Sequence, residues 1–290
     1  MFLQVGIAMK VREFYGFVRK NLPLLDEKEA KNEANILLQY CLKLDFTGLF
    51  LERERVLTEK ELEFLENAIS LRRSGVPVQY ILGSWEFMNM NLKVGEGVLI
   101  PREDTAVLVE TVIKNANFSK KFNLIDLCSG TGCVALALEK NLKNFNEIYA
   151  LEYSEKAFEY LSENIKSLGS KVKAIKGNVF EDYNLFEDDY FDCIVSNPPY
   201  IKTADVKMLD REVLHEPETA LDGGETGLDF YSGICKLWAC KIKSGGILAF
   251  EIGQGMHDDV AEIMNNSGFE KINFSKDING IIRCVMGVKK

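Results

Sequence analysis

Residues 123–136, NLIDLCSGTGCVAL, combine an apolar run, a glycine turn and a second apolar run. We interpret them as a buried strand, a loop around Gly130 and Gly132, and a helix. Glycine allows a close approach of the backbone to a ligand, and the N-terminus of the following helix favours an anionic group. The segment therefore predicts a strand–loop–helix unit that binds a ligand at its glycines.

The same alternation of strands and helices continues from about residue 104 to the C-terminus. Strands are predicted at 122–127, 147–151, 171–175, 191–196, 246–251, 270–275 and 281–287. Helices are predicted near 104–115, 131–142, 154–167, 227–241 and 256–267. This order is typical of an α/β protein with a parallel, doubly wound sheet. The last two strands are separated by KDING alone, which is too short for a crossover, so we expect them to pair antiparallel.

The chain before this region has a different pattern, and two domains are the expectation for 290 residues. Asp26 is suited to cap one helix, and Thr58 with Glu61 forms a capping box for another, so this part predicts a helical bundle. A stretch with Gly, Pro and aromatic residues follows and predicts a β-hairpin beside a cleft. The predicted divisions are the bundle, the hairpin linker and the α/β domain, at residues 1–75, 76–103 and 104–290.

Composition is that of an ordinary globular protein, with 47% hydrophobic and 27% charged residues. No apolar run reaches the roughly 18 residues that a membrane-spanning helix needs. The opening MFLQVGIAM lacks the basic leader and cleavage site of a signal peptide. Met9 is a candidate biological start, which would leave the preceding residues as a poorly ordered extension. We expect a cytoplasmic protein without a membrane partner.

Cysteine and histidine usage argues against metal sites and disulfides. The seven cysteines are odd in number and contain no C-x-x-C pair, so we expect reduced core thiols. Only two histidines, His215 and His257, are present, and this shortage argues against a histidine metal site or a Ser-His-Asp triad.

Charge argues against nucleic acid as a direct partner. The net charge is −9, and the first 75 residues contain twelve basic and twelve acidic side chains, so the acidic excess lies in the rest of the chain. Enzymes that bind nucleic acid usually carry a basic footprint, and none is obvious in this sequence.

A carboxylate follows the glycine loop at a sequence spacing that is typical of nucleoside-binding sites. Glu152 ends the next predicted strand, twenty residues after Gly132, where it can accept hydrogen bonds from two ribose hydroxyls. Asn178, after the third strand, is placed to contact an adenine edge. The combination predicts a nucleoside cofactor and leaves NAD and S-adenosylmethionine open. The alternative is a close-packed turn with a surface glutamate.

Two features favour S-adenosylmethionine over NAD. One is the antiparallel strand pair at the C-terminus, which is typical of seven-stranded methyltransferases, and the other is the sequence SNPPYI (196–201).

Asn197 lies at the carboxyl end of the fourth strand, where open α/β sheets bind ligands. Proline fixes φ, so the Asn197 side chain and the Pro198 carbonyl form two fixed acceptors for an –NH₂ group. Tyr200 would supply an apolar wall. This arrangement suits methylation of a planar nitrogen by positioning; the alternative is a proline-terminated strand with Tyr200 in the core.

Several motifs occur in order along the chain: PVQYILG (77–83), EF (86–87), LIPREDT (99–105), DLCSGTGC (126–133), SNPPYI (196–201) and EPETALDGGETGL (216–228). Together they resemble those of the protein-(glutamine-N5) methyltransferases of the PrmC/HemK type. The resemblance implies a helical N-terminal substrate-recognition domain and a seven-stranded, Rossmann-like class I S-adenosylmethionine-dependent methyltransferase domain. It also implies methylation of the glutamine amide in the Gly-Gly-Gln motif of class I peptide chain release factors, which act in translation termination, with S-adenosyl-L-homocysteine as product.

The resemblance also implies roles for individual residues. The cofactor-binding set is Asp126, Cys128, Ser129, Gly130, Thr131, Gly132, Glu152, Asn178, Val179 and Asn197. The substrate-binding set is Asn197, Pro198, Pro199, Tyr200, Phe87 and Arg102, and the catalytic set is Asn197, Pro198 and Tyr200. Arg102 has two open roles, an anion contact or a structural ion pair. The chain departs from the family pattern at Asn178, Glu103 and Ala106, where an acid, proline and an acid are usual.

Three other functions compete with this interpretation. A glutamine methyltransferase acting on a ribosomal protein would use the same chemistry. An adenine-N6 nucleic-acid methyltransferase also presents acceptors to a planar –NH₂, but the acidic balance opposes it. An inactive cofactor-binding protein is the third, and the intact Asn197-Pro198-Pro199-Tyr200 segment opposes it. We expect a monomer.

Overall fold

A computed structural model describes residues 8–115 and 121–290 of the chain. The predicted extension ahead of Met9 therefore lies, apart from Ala8, outside the described residues. The chain divides into two units. The first comprises the chain up to Gly83 with Arg211–His215, and the second comprises Ser84–Asp210 with Glu216–Lys290.

The first unit is helical, as predicted. Its helices are α1 (Val11–Asn21), α2 (Glu27–Leu42), α3 (Phe46–Leu51), α4 (Glu59–Arg73) and α5 (Val78–Leu82). The side chain of Asp26 accepts the backbone N–H of Glu29, and the capping box between Thr58 and Glu61 is present. Both predicted caps are confirmed.

Helix α5 corrects the prediction that the hairpin begins at residue 76. Pro77 immediately precedes the helix, and Gly83 ends it in a left-handed conformation. Proline at the start and glycine at the end are helix boundary signals, so the sequence contained the information. The helix was not predicted because the aromatic residues and glycines of this stretch are typical of a hairpin.

The predicted hairpin follows in the second unit as β1 (Ser84–Phe87) paired antiparallel with β2 (Met90–Lys93). Met88 and Asn89 form its two-residue turn, both with positive φ, as such hairpins require. Phe87 is 4% exposed and packs in the hydrophobic core with Met90.

In the described part of the chain, seven strands form one sheet with the order β5-β4-β3-β6-β7-β9-β8. The strands are β3 (Phe122–Leu127), β4 (Phe145–Glu152), β5 (Lys173–Lys176), β6 (Phe191–Ser196), β7 (Ile242–Glu251), β8 (Phe269–Lys276) and β9 (Ile282–Lys289). The first five run parallel, and β9 pairs antiparallel with both β7 and β8. The predicted α/β fold class and the antiparallel end are confirmed. The predicted strand bounds differ from the observed ones by up to two residues, except in β7, which begins at Ile242 rather than at 246.

Helices cover both faces of this sheet. They are α6 (Thr105–Asn115), α7 (Cys133–Asn141), α8 (Glu155–Leu168), the short α9 (Thr203–Val206), α10 (Asp229–Trp238) and α11 (His257–Asn266). Leu124 of β3 packs in the cluster with α6 and α7, whereas its neighbour Ile125 packs in the cluster with α10 and α11. A central strand that is apolar on both faces is the expected consequence of a parallel sheet between two helical layers.

Strand order determines where a ligand can bind. The first strand of the sheet in sequence, β3, lies between β4 and β6, and Leu127 at its end pairs in register with Leu151 and Ser196. The chain therefore changes direction at this place in the sheet, and the loops after three strands start side by side. Such switch points are the usual ligand sites of open α/β sheets.

None of the described helices combines the length and apolar character that crossing a bilayer requires.

The first unit contains a buried ion network around Arg72 of α4. The guanidinium is paired with Glu33 of α2 and, at 2.6 Å, with Glu212, while its Nη1 donates to the Val76 carbonyl at 2.7 Å. The side chain of Arg72 is 4% exposed and that of Glu33 is 9% exposed. Arg72 therefore joins α2, the chain after α4 and the segment Arg211–His215 within this unit.

Replacing Arg72 by methionine is expected to lower the free energy of unfolding by about 3–5 kcal/mol, because Glu33 would be left buried without a counter-charge. Urea denaturation followed by circular dichroism measures the change. Arg73→Met is the matched control, since Arg73 is the exposed neighbour on the same helix. Equal losses for the two variants would contradict the structural role of the network.

Candidate active site

A cavity of about 550 Å³ opens at the switch point, at the carboxyl ends of β3, β4 and β6. Most of the predicted site residues line it: Arg102, Asp126, Cys128, Ser129, Gly130, Thr131, Glu152, Asn178, Val179, Asn197 and Pro199. Four predicted residues are not among its lining residues: Phe87, Gly132, Pro198 and Tyr200. The strand order thus brings together side chains from three loops that are far apart in sequence.

The two glycines of the loop after β3 have different surroundings. Both have positive φ, +54° at Gly130 and +81° at Gly132. A Cβ at Gly130 would meet only Val98, at 4.0 Å, so this position leaves open space beside the cavity. A Cβ at Gly132 would lie 2.5 Å from the Leu161 side chain of α8, so Gly132 permits close helix packing.

We expect Gly132→Ala to lower the free energy of unfolding by roughly 1–3 kcal/mol more than Gly130→Ala. Both substitutions place a side chain at positive φ, but only the first overpacks the helix contact with Leu161. Thermal or urea denaturation of the two variants makes the comparison. If Gly130→Ala is the more damaging, the assignment of the packing role to Gly132 is wrong.

Glu152 is held rigidly at the end of β4. Its Oε2 accepts the N–H of Gly130 and its Oε1 accepts the N–H of Ser154, each at 2.7 Å. Burial raises the pKa of this carboxyl, although the backbone hydrogen bonds favour the charged form. Because each carboxylate oxygen has a further lone pair, Glu152 can accept two more hydrogen bonds from a ligand.

A second carboxyl, Asp126, lies beneath the loop and is 1% exposed. Its Oδ2 accepts the N–H of Ala135 at 3.2 Å, and burial raises its pKa to about 8. Burial also raises the pKa of the Cys128 thiol, so this cysteine is not poised as a thiolate nucleophile. The hydroxyl of Thr131, which is 2% exposed, has no hydrogen-bond partner among the described residues.

Aromatic rings line the end of the cavity near β5. Phe180 and Phe230 both line it, with ring centroids 5.0 Å apart. Asn178 is held in a turn, since its Oδ1 accepts the N–H of Phe180 at 2.9 Å and its Nδ2 donates to Glu181 at 3.1 Å. The sequence interpretation missed both phenylalanines; the position of Phe180, two residues after Asn178, was the available signal.

The chain after β6 presents Asn197 to the cavity. Its Nδ2 donates to Oγ1 of Thr105 at 3.4 Å, and among the described residues Oδ1 has no donor. Pro198 and Pro199 are buried and fix the backbone beside it. Tyr200 packs with the hydrophobic cluster around α10, and burial raises its pKa to about 12.

Backbone hydrogen bonds join the Asn-Pro-Pro-Tyr corner after β6 to the segment LDGG (221–224). The N–H of Ile201 donates to the Leu221 carbonyl at 2.9 Å, and the N–H of Gly223 donates to the Ile201 carbonyl at 2.7 Å. A Cβ at Gly223 would lie 2.6 Å from Cα of Tyr200. Glycine is therefore required there by close approach of two backbones, which explains why the two motifs occur together.

Arg102 forms an ion pair with Glu216, whose other oxygen accepts the N–H of Ile100 at 3.1 Å. The Glu216 side chain is 1% exposed, whereas that of Arg102 is 39% exposed and lines the cavity. Burial raises the pKa of Glu216, and Arg102 opposes that shift. The ion pair ties the LIPREDT and EPETALDGGETGL elements together.

No group of three or more metal-ligating side chains occurs among the described residues.

Comparison with known proteins assigns the family. The PrmC N-terminal domain matches residues 19–83, and the methyltransferase small domain matches residues 103–227. A release factor glutamine methyltransferase of Thermodesulfovibrio yellowstonii is 38% identical over 88% of this chain and 91% of its own length. The chain belongs to the release factor glutamine methyltransferase family. A second family member, from Geobacter sulfurreducens, is 36% identical over 96% of both chains.

Solved structures confirm the fold of this methyltransferase. A methyltransferase from Pyrococcus furiosus covers 80% of the chain and 99% of its own, with 16% identity and a TM-score of 0.52. The hMettl16 catalytic domain, solved with an RNA hairpin, covers 85% of the chain and 87% of its own, with 14% identity and a TM-score of 0.54. At such low identity the likeness concerns the fold.

Proposed function

We propose that this protein transfers a methyl group from S-adenosyl-L-methionine to the side-chain amide nitrogen (N5) of a glutamine, in the Gly-Gly-Gln motif of class I peptide chain release factors. S-adenosyl-L-homocysteine is the second product. The observation that carries the proposal is the acceptor Oδ1 of Asn197, which lies without a donor at a cavity suited to a nucleoside. Family membership over 88% of the chain supports the choice of substrate.

The residues of the cavity fit the cofactor. When bound, S-adenosyl-L-methionine supplies an electrophilic methyl group on a positively charged sulfur. Glu152 has lone pairs left for two ribose hydroxyls. The unpartnered hydroxyl of Thr131, beside the start of α7, suits the cofactor's carboxylate, and the open face of Gly130 leaves room for it.

Residues of the cavity also suit the adenine ring and the positive charge of the cofactor. Phe180, Phe230 and Val179 offer an apolar slot for a flat base. Asp126 and Glu152 place two carboxyls near a cationic ligand, and a cation nearby favours their ionised forms. An acidic site of this kind suits a sulfonium better than it suits the pyrophosphate of NAD.

The amide substrate would be held by two acceptors of the corner after β6. Asn197 Oδ1 and the Pro198 carbonyl accept its two N–H groups and aim the nitrogen lone pair at the methyl carbon. Acceptors fixed in place raise electron density on the nitrogen and stabilise the positive charge that develops there. The nitrogen forms the new N–C bond and afterwards gives one proton to solvent. No strong base has to act before the transfer.

Methyl transfer from labelled S-adenosyl-L-methionine to a purified class I release factor tests the proposal. We expect one methyl group per release factor, and no labelling when the glutamine of the Gly-Gly-Gln motif is replaced by alanine. Mass spectrometry of the loop peptide identifies the modified atom. Label that persists on the replaced protein would point to another target.

Asn197→Ala is expected to lower kcat by at least about 100-fold, because one fixed acceptor of the amide is removed. The dissociation constant for S-adenosyl-L-methionine, measured by calorimetry, should stay nearly unchanged. A large loss of cofactor affinity with little loss of kcat would reverse the assigned role.

Glu152→Ala is expected to weaken cofactor binding by roughly 10- to 100-fold, since hydrogen bonds to a charged group contribute about 1.5–3 kcal/mol. Glu155→Ala is the matched control, because Glu155 is an exposed glutamate in the first turn of α8. The same calorimetric titration compares the two. Equal affinity of both variants would remove Glu152 from the ribose site.

A further inference from the structure

Thr105 holds the side chain on which the proposed reaction depends. Its Oγ1 accepts Nδ2 of Asn197 at 3.4 Å, and both residues line the cavity. Because Nδ2 faces Thr105, Oδ1 of Asn197 is left without a donor among the described residues and is free for a substrate amide. Thr105 is 1% exposed, so its own position is determined by the protein around it. The position of the Asn197 amide therefore depends on what holds Thr105.

The LIPREDT element, which ends in Thr105, is fixed at two points by ion pairs. The first is the pair of Arg102 with Glu216, three residues before the threonine. The second lies directly before the threonine, where Oδ2 of Asp104 contacts Nη2 of Arg283 at 2.9 Å. A peptide bond joins Asp104 to Thr105, so this second ion pair restrains the first residue of α6.

Arg283 is itself held on the sheet. It lies in β9, and its carbonyl accepts the N–H of Ile252 at 2.9 Å. Its Nε donates to Oδ2 of Asp277 at 3.0 Å, and Oδ1 of Asp277 accepts the N–H of Ile281, also at 3.0 Å. The guanidinium is thus fixed on one side by the turn between β8 and β9, and it presents its other side to Asp104.

The geometry of the Asp104–Arg283 pair matters more than its energy. The Asp104 side chain is 39% exposed and that of Arg283 is 21% exposed, and ion pairs so open to water contribute little to stability. The pair nevertheless connects the C-terminal strand pair to the loop that precedes α6. A catalytic group that is displaced by about 1 Å can cost about 100-fold in rate, so a weak restraint at this place can still matter for the reaction.

We propose that Arg283, through its ion pair with Asp104, is a positioning residue that keeps Thr105 in place against the Asn197 amide. The inference rests on the proposed function and deepens it, because it adds the C-terminal strand pair to the parts of the fold that the reaction needs. Neither Arg283 nor Asp104 is among the lining residues of the cavity. When the pair is lost, the start of α6 is less restrained, and Oδ1 of Asn197 is no longer held for the substrate amide.

Asp104→Asn tests the proposal, and Asp277→Asn is the matched control. Each variant removes one carboxylate from the same guanidinium, but only the first frees the start of α6. We expect kcat of Asp104→Asn, at saturating cofactor and release factor, to fall about tenfold, with the cofactor dissociation constant unchanged. The control should keep kcat near that of the wild type, because Asp104 still binds Arg283. An Asp104→Asn enzyme as fast as the control would overturn the proposal.

The melting temperatures of the same two variants separate positioning from stability. The side chain of Asp277 is 5% exposed and that of Asp104 is 39% exposed, so losing the charge of Asp277 should destabilise the fold more. The positioning role therefore predicts opposite orders: Asp277→Asn has the lower melting temperature, and Asp104→Asn has the lower kcat. If kcat falls in the same order as the melting temperature, the two ion pairs serve the fold and the positioning role is refuted.

Thr105→Val tests the route of the effect, because valine keeps the shape and removes the hydroxyl that holds Asn197. We expect a similar loss of kcat, about tenfold, which Thr105→Ser should largely restore. Combining Asp104→Asn with Thr105→Val should slow the enzyme no further, since both changes release the same amide. Losses that multiply in the double variant would show that Asp104 does not act through Thr105 and would overturn the proposal.

Failure of this proposal is distinguishable from failure of the proposed function. Wild-type protein that leaves release factors unmethylated would refute both. Active wild type alongside fully active Asp104→Asn and Thr105→Val variants would refute the positioning role alone.

Discussion

The corner after β6 is held by backbone-to-backbone contact, and the candidate site depends on that constraint. Ile201 is hydrogen-bonded on both sides to the LDGG segment, and Gly223 leaves no room for a side chain against Tyr200. Two prolines remove the remaining freedom of the corner. A glycine turn would let the backbone of Asn197 move, whereas the prolines and the contacts with LDGG hold it in one place. The Asn-Pro-Pro-Tyr segment and the LDGG segment therefore form one structural unit.

The site contains several buried carboxyl groups, and they differ in the hydrogen bonds or ion pairs that stabilise them. Glu152 is hydrogen-bonded by two backbone amides, Glu216 is paired with Arg102, and Asp126 accepts the N–H of Ala135. Glu251 is the least supported, with one oxygen unpartnered among the described residues. Functional sites are where a protein tolerates groups that do not favour folding. This distribution of acidic groups also agrees with a cationic cofactor.

Local sequence signals predicted much of the fold. Strand and helix alternation, the caps at Asp26 and Thr58, and the short KDING connection depend on neighbouring residues, and each was confirmed. Helix α5 was missed because its composition resembles a loop, although proline and glycine mark its ends. The glycine loop, Glu152 and Asn197 were found because each follows directly after a recognisable strand.

Residue patterns close together in the chain thus determined the fold class, the family and the main polar residues of the site, because secondary structure and short motifs are encoded locally. The tertiary structure alone decided that Gly132 packs on Leu161, that Arg102 pairs with Glu216, and that Phe230 lines the cavity. It also decided that Thr105 accepts a hydrogen bond from the side chain of Asn197. These partners lie from about 30 to well over 100 residues apart, and their contact results from the order of strands in the sheet, which no local pattern specifies.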